Sequence, residues 1–322
     1  MEKVKILKKF HEPVMLLEVL KALRVRELAH SKKACFTNKV RKPKFIDATL
    51  GLGGHTIPMV KAGAYVLGID ADLDSLETAR ERLELACPSS DISDNMGRSF
   101  VLAHGNFKEI GKIAKDNGFV GIDGVLFDLG ISSYQLERKN IGLSFQDQSA
   151  LLDMRIDPNS NGVKASDLLK VLNEGQLTEL FATTLEKYRA RLIAKAIVTE
   201  RTKSEIRKVG DFLYTIRGII RPKNRLDPAT LPFLALRIAV NNEVENLRVA
   251  LPQAYDLIIP GGRLVVISFH SGEDITVKNF FRQKKAELKA VLVTKKPIKP
   301  DLSEIEINSR ARSAKMRILE KV

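Results

Sequence analysis

The chain has 322 residues, 44% of them hydrophobic, and carries 53 Lys or Arg against 39 Asp or Glu, for a formal charge of +14 and a pI near 9.7. That length and apolar share support one large domain, or a core with an insert, while two cysteines provide neither a disulfide framework nor a metal-ligand cluster. No run of about eighteen apolar residues occurs, and residues 1–10 alternate lysine with apolar side chains instead of forming a signal core; the expectation is a cytoplasmic protein with no membrane and no metal, whose positive charge favours a polyanionic partner.

From residue 11 to 28, Val14, Leu17, Val19, Leu20 and Leu23 recur near helical spacing, with Pro13 in the first turn. Residues 31–44 are polar and basic without a period and read as a loop. Residues 44–48 form a short apolar strand running into Thr49-Leu50-Gly51-Leu52-Gly53-Gly54-His55-Thr56. Residues 65–69 form a parallel strand ending at Asp70, and residues 56–63 leave room for a helical crossover. Glycines at 51, 53 and 54 let backbone come close to a ligand, and Asp70 stands where a ribose hydroxyl pair needs an acceptor.

Two nucleotide-binding families share this layout. The dinucleotide fingerprint needs a glycine at its sixth position, and counting from Gly51 that position is Thr56. A cofactor with a ribose and an amino-acid tail but no phosphates suits residues 51–55 better, and S-adenosyl-L-methionine is such a molecule.

Leu73, Leu76, Ala79 and Leu83 behind Asp72 and Asp74 give an amphipathic helix with an acidic first turn, ending before Pro88; residues 89–98 form a polar loop. Residues 100–104 are a third strand, after which Phe107 stands where an adenine ring would rest, or else joins the core. A helix over 108–117 leads to the fourth strand, 123–130, which delivers Asp128 to the carboxyl edge, where open α/β sheets bind ligands.

Between residue 131 and about residue 231 the strand and helix alternation stops. A loop over 132–157 precedes helical stretches at 165–172 and 176–181 and a basic segment. From Lys187 to Arg225 there are twelve Lys or Arg against Glu200, Glu205 and Asp211. Leu192, Ile193, Ala196 and Ile197 form an apolar stripe that leaves Arg189, Arg191, Lys195 and Arg201 largely outside it, a one-signed surface suited to phosphates. The division is a core of residues 1-135 and 232-322 with an inserted helical domain, 136-231, placed where a substrate-reading insert would be. The core resumes with a helix over 233–259, closed by Pro260-Gly261-Gly262, then a fifth strand over 263–269 and a helix over 274–290. Strands at 290–294 and 314–320, with no helix between them, are expected to pair antiparallel at the edge. The fold class is α/β, a seven-stranded Rossmann-like methyltransferase sheet with an inserted helical domain.

His11-Glu12-Pro13-Val14-Met15, Asp47-Ala48-Thr49-Leu50-Gly51-Leu52-Gly53-Gly54-His55, Asp128-Leu129-Gly130-Ile131-Ser132-Ser133, Leu152-Asp153-Met154-Arg155, Ile267-Ser268-Phe269-His270-Ser271 and Arg310-Ala311-Arg312-Ser313 together resemble the MraW/RsmH family, bacterial 16S rRNA cytosine N4-methyltransferases, over residues 11–321. The resemblance implies S-adenosyl-L-methionine as cofactor, with Gly53, Gly54 and His55 in its loop, Asp70 as ribose acceptor, Phe107 as adenine contact, and Asp128 and Gln135 at further cofactor positions. It also implies N4 of a decoding-centre cytidine in 16S rRNA, within the small ribosomal subunit, as the methyl acceptor. Departures from the family pattern are Tyr134 and Leu151 in place of prolines, Asp227, Leu231-Pro232 and Leu234 where His, Thr-Arg and Gln are usual, and Gly272 in place of Leu.

A cytosine amine is a poor nucleophile because its lone pair is conjugated with the ring, so alignment is the main task. Asp128 is the candidate catalytic group, accepting from the N4 hydrogens, beside its cofactor role. An extruded base needs a stacking partner, for which Tyr134 and Phe145 are candidates. Arg155 meets substrate or pairs with Asp153 to order a loop; Arg310 and Arg312 bind phosphate or form a solvated arm. Three other readings stay open: a nucleotide-dependent oxidoreductase, a basic ribosome-assembly module without catalysis, and a DNA amino-methyltransferase. The last expects two prolines and an aromatic after its acidic or amide residue, which Asp128-Leu129-Gly130-Ile131 does not supply.

Overall fold

The structure, a computed structural model, describes residues 13–30, 41–88, 99–137, 141–159, 161–219 and 227–322. His11 and Glu12, most of the expected loop at 31–44, the polar stretch at 89–98, and Arg221, Lys223 and Arg225 lie outside the described residues. The chain divides into two compact units, Met1–Gly130 with Asn246–Val322, and Ile131–Glu245. The first joint precedes the expected 135/136, as Ile131 packs against the core of the second unit, and the second lies beyond the expected 231/232 because the Thr230–Asn241 helix buries Phe233, Leu236 and Val240 there.

The first unit is a seven-stranded sheet: β1 (Lys44–Asp47), β2 (Tyr65–Asp70), β3 (Phe100–His104), β4 (Ile122–Asp128), β5 (Ile258–Ser268), β6 (Ala290–Leu292) and β7 (Lys315–Lys321), in the order β3-β2-β1-β4-β5-β7-β6. Neighbours from β3 to β5 are parallel, and β7 runs antiparallel to both β5 and β6. Buried side chains alternate between two faces as a period of two requires. Ile46, Leu67, Val125, Phe127 and Val266 join one apolar cluster, whereas Phe45, Val66, Leu126 and Val265 join the other. Leu251, Val277 and Phe281, from the helices Glu243–Leu257 and Ser271–Ala286, complete the first face; Val19, Met59 and Leu83 complete the second. Sheets covered on both faces read as nearly continuous apolar strands, and this one does.

Four expectations are corrected. The helix foreseen over 11–28 is two, Leu16–Ala22 and Val25–Ala29, parted at Arg24, whose φ is 56°. The helix foreseen over 233–259 is also two, split at Asn242, whose φ of 51° falls in the left-handed region that Asn tolerates. Pro260-Gly261-Gly262 lies inside β5, where the register with β4 shifts and Pro260 and Gly261 face solvent, so the missing proline N–H costs the ladder nothing. A helix at Leu302–Ile307 separates β6 from β7, capped by Asp301, whose carboxylate accepts from Glu304 N–H at 2.7 Å.

The second unit is helical, with helices Ser133–Glu137, Ala165–Val171, Glu174–Ala182, Lys187–Glu200, Val209–Ile216 and Thr230–Asn241. The first of these falls within the loop expected at 132–157. Phe181 and Phe212 stack with centroids 6.2 Å apart, and Phe212 meets the Phe233 ring at 5.5 Å in an edge contact. On the Lys187–Glu200 helix the buried face is Ala190, Ile193, Ala194 and Ile197, turned by part of a turn from the stripe expected through Leu192 and Ala196. Among the described residues no helix is long and apolar enough to cross a membrane.

Phe212 is fully buried between two aromatic rings, so Phe212→Ala should destabilise the helical unit by about 3–5 kcal/mol. A lowered urea midpoint followed by far-ultraviolet circular dichroism checks this.

Candidate ligand site at the carboxyl edge of the sheet

The strand order reverses between β1 and β4: chain connections from β1 run outward to β2 and β3, and those from β4 run the other way to β5. At such a point two loops leave in opposite directions and open a crevice at the carboxyl ends of the strands. Three carboxylates stand there, Asp47, Asp70 and Asp128, the last residues of β1, β2 and β4.

The loop after β1 is pinned to both neighbours. Ala48 N–H donates to Leu126 O at 2.9 Å on the β4 side, and Leu50 N–H donates to Ile69 O at 2.9 Å on the β2 side. Thr49 Oγ1 accepts from Asp128 N–H at 2.6 Å. Gly51 and Gly53 have φ of 51° and 77°, left-handed values that turn the chain into the Thr56–Lys61 helix. A Cβ at Gly54 would sit 3.1 Å from the Pro13 ring, so this glycine lets Pro13 pack closely against the loop. Arg82 reaches across to the Leu52 carbonyl and holds the loop from behind.

Each carboxylate has a different set of partners. Asp47, 1% exposed, accepts from Thr56 Oγ1 at 2.7 Å and Thr49 N–H at 3.3 Å. Half-buried Asp70 accepts from Gly51 N–H at 2.7 Å and Asp72 N–H at 2.8 Å, one on each oxygen, which leaves each oxygen a further lone pair. Asp128 keeps 22% of its side chain exposed, yet its Oδ1 is closed off from solvent and has no donor among the described residues. Its Oδ2 lies 3.7 Å from His55 Nδ1.

His55 is 4% exposed, and its Nε2 lies 3.0 Å from the Val14 carbonyl, which can only accept; the ring proton therefore sits on Nε2 and Nδ1 is bare. Burial lowers the His55 pKa to about 4, so the imidazole is neutral and does not balance Asp128. Burial, more than any other cause, raises Asp47 and Asp70 to about 6. It also raises Asp128 well above the carboxylate range, with the charges of Asp47, Glu273 and Glu304 adding to the rise. No Lys or Arg forms an ion pair with these three among the described residues. The crevice is thus rich in acceptors and short of donors and positive charge, an arrangement that suits a cation bearing N–H or O–H groups.

The other residues singled out in the sequence are placed as follows. Phe107 follows β3, half-buried, with its ring edge-on to Phe127 at 5.7 Å. Gln135 and Tyr134 lie on the Ser133–Glu137 helix of the second unit, Tyr134 half-buried and Gln135 Oε1 accepting from Ser132 N–H at 2.9 Å. Arg155 is committed to its own loop: Nε and Nη2 donate to Asp153 at 2.6 and 2.8 Å, and Nη1 to Asn161 O at 2.9 Å. Phe145 meets Phe233 at 5.6 Å inside the helical core. Arg191 and Lys195 are exposed, whereas Arg189 is only 31% exposed and turned towards Glu186. Arg312 is exposed and Arg310 half-buried, both on the turn Ser309–Ser313. Asp47, Thr49 and Arg82 were not singled out as functional; an Asp closing an apolar strand marks Asp47, but no sequence signal marks Arg82.

A profile of the MraW methylase family matches residues 8–322 of this chain. Among similar proteins, the ribosomal RNA small subunit methyltransferase H of Thermomicrobium roseum is 37% identical, with 97% of this chain and 94% of that protein covered. The protein of the same name from Dictyoglomus thermophilum is 39% identical, over 97% of this chain and 96% of that one.

Asp128→Asn removes a charge that burial disfavours and presents an amide donor to His55 Nδ1. A carboxylate whose pKa is raised by folding lowers stability progressively as pH rises from its ordinary value to the raised one, so the cost is fully present above the raised pKa and shrinks steadily as pH falls below it. The variant should therefore melt higher than the wild type at pH 8, by about 2–4 °C for each kcal/mol relieved. That gap should narrow towards pH 5; calorimetric scans of the ligand-free proteins at both values test it.

Proposed function

Because the chain belongs to the MraW methylase family, we propose that it is an S-adenosyl-L-methionine-dependent methyltransferase that modifies small-subunit ribosomal RNA, at N4 of a decoding-centre cytidine in 16S rRNA. The single observation that carries the assignment is Asp128, whose buried Oδ1 has no donor among the described residues, beside a neutral histidine at the point where the strand order reverses.

The fit to the cofactor rests on donor chemistry. S-adenosyl-L-methionine brings a sulfonium, an ammonium and a ribose diol into a crevice that holds acceptors and negative charge. When bound it supplies an electrophilic methyl group. Asp70 is the acceptor for ribose hydroxyls, Phe107 flanks the adenine, and Gly53, Gly54 and His55 form the wall along the amino-acid part; Gln135 belongs to the same set. Asp128 has two tasks in this reading: it offers negative charge to the cofactor, and it accepts from the target amine so that the N4 lone pair is aligned. Because His55 is neutral, it leaves the charge of Asp128 for the cofactor.

The N4 amine is hidden in paired or stacked RNA, so the base must leave the stack. Tyr134 is the proposed platform. The helical unit is the proposed RNA-recognition domain, with Arg191 and Lys195 facing phosphates and Arg189 in a supporting place. Arg312, with Arg310 behind it, is a second phosphate contact. Arg155 serves substrate binding indirectly, by holding the loop that it shares with Asp153.

Asp70→Ala should weaken S-adenosyl-L-methionine binding roughly ten- to hundredfold, the loss expected for a charged hydrogen-bond acceptor, with the fold retained because the side chain is half-buried. Titration calorimetry reads this, and unchanged affinity removes Asp70 from the site. In the wild type, protons compete with the ligand at Asp47 and Asp70, whose pKa values lie near 6. Affinity should therefore fall as pH drops below that value, by about tenfold per pH unit for each proton that must leave.

The reaction itself is tested by incubating the protein and labelled cofactor with unmethylated small subunits, free rRNA and DNA, then mapping the modified base. Label on N4 of one cytidine in 16S rRNA of the small subunit is expected. Label on DNA, or on another atom, overturns the assignment.

A further inference from the structure

The chain has five tyrosines and no tryptophan. Tyr255 is 5% exposed and Tyr65 and Tyr134 are half-buried, but Tyr188 and Tyr214 are 73% and 67% exposed. Both belong to the helical unit, on the helices Lys187–Glu200 and Val209–Ile216. A phenol ring held in water contributes nothing to a core, and its surroundings decide what it suits.

On the first helix the surroundings are cationic and regular. With about 100° between successive residues, Tyr188, Arg191 and Lys195 fall on one side of the helix, over about 10 Å along its axis. Ala190, Ile193, Ala194 and Ile197 point the other way, into the core. Arg191 is 75% exposed and Lys195 is exposed, and no acid stands on this stripe. The charges facing it come from the Glu174–Ala182 helix: Glu174 lies 3.8 Å from Arg191, beyond hydrogen-bond reach, and Glu179 lies 3.1 Å from Lys187. Exposed pairs of this kind are weak and readily give way to a phosphate. On the Val209–Ile216 helix Tyr214 is followed by exposed Arg217, the residue at which the helix ends.

An aromatic face next to cations in line is the combination that single-stranded nucleic acid uses, with bases stacking on rings and the backbone tracking positive charge. Duplex would need the charges but not the rings. We infer that the stripe Tyr188, Arg191 and Lys195 takes a single-stranded stretch of RNA, a base stacked on Tyr188 and the flanking backbone against Arg191 and Lys195. This rests on the reading of the chain as an RNA methyltransferase and adds to it the form of RNA that the helical unit holds. Tyr188 is here a positioning residue for the substrate, not a catalytic one.

Without tryptophan, tyrosine emission can be read directly, and stacking on a base quenches it. The full chain is titrated with a single-stranded oligoribonucleotide and, separately, with inorganic polyphosphate, following tyrosine emission and the polarisation of labelled probe. RNA should quench emission and polyphosphate should not. Tyr188→Ala should lower RNA affinity by roughly five- to hundredfold with an unchanged salt slope, Tyr188→Phe should keep wild-type affinity, and Lys195→Ala should reduce the log–log salt slope by about 0.7. In methylation assays Tyr188→Ala should raise KM for RNA and leave kcat in place. Wild-type RNA affinity in Tyr188→Ala overturns the inference, as does equal binding of RNA and polyphosphate with emission unchanged by either. If RNA binds through Tyr188 while no small-subunit RNA is methylated, the stacking surface stands and the assigned reaction falls.

Discussion

Three acids brought to one edge by the register of three adjacent strands are the constraint on which the molecule is built. β1 lies between β2 and β4 and runs parallel to both, so their carboxyl ends coincide and Asp47, Asp70 and Asp128 cannot avoid one another. The chain carries a surplus of fourteen positive charges, yet none is placed against these groups among the described residues. The cations of the sheet neutralise other acids instead: Arg263 pairs with Glu320 at 2.9 Å and Arg317 with Asp274 at 2.7 Å. Burial without compensation makes the site a local burden on the folded state, and that burden gives an incoming cation its advantage. Thr49, Thr56 and the backbone of Gly51 and Asp72 satisfy part of the demand, and Asp128 Oδ1 is left over.

Most of the sheet was readable because parallel strands covered on both faces are written as apolar runs, and five of them alternate with helical patterns. What could not be read depended on single backbone angles and on partners far away in sequence. Asn242 adopts a left-handed conformation inside an otherwise helical stretch, and an apolar pattern carries no mark of it. Pro260 and Gly261 look like a stop signal, but a bulge lets β5 continue through them. In the site, Asp70, Asp128, Gly53 and His55 could be named from strand ends and a turn, whereas the roles of Gly54 and Arg155 depend on their neighbours Pro13 and Asp153. Arg189 and Arg191 both fall outside the expected apolar stripe, but two residues on a helix stand about 160° apart, and Arg189 turns towards Glu186.

The two units carry opposite chemistries. One gathers buried carboxylates and a neutral imidazole; the other buries aromatic rings and sets tyrosine, arginine and lysine in water. A reaction between a cationic methyl donor and a polyanion asks for both. Each unit also has a closed core of its own, so changes on the exposed helix face leave the packing around Phe212 untouched.

The place of β7 in the sheet has a consequence for the order in which the protein matures. This strand comes after every other in the chain, yet it sits between β5 and β6 and joins them. The helical unit is contiguous and has its partners in hand once residue 245 has been made. The sheet has no such freedom: until residues 315–321 emerge, β5 offers an open ladder and β6 has no neighbour. During synthesis the section proposed to hold RNA can therefore be finished while the section proposed to perform the transfer is still waiting for its closing strand.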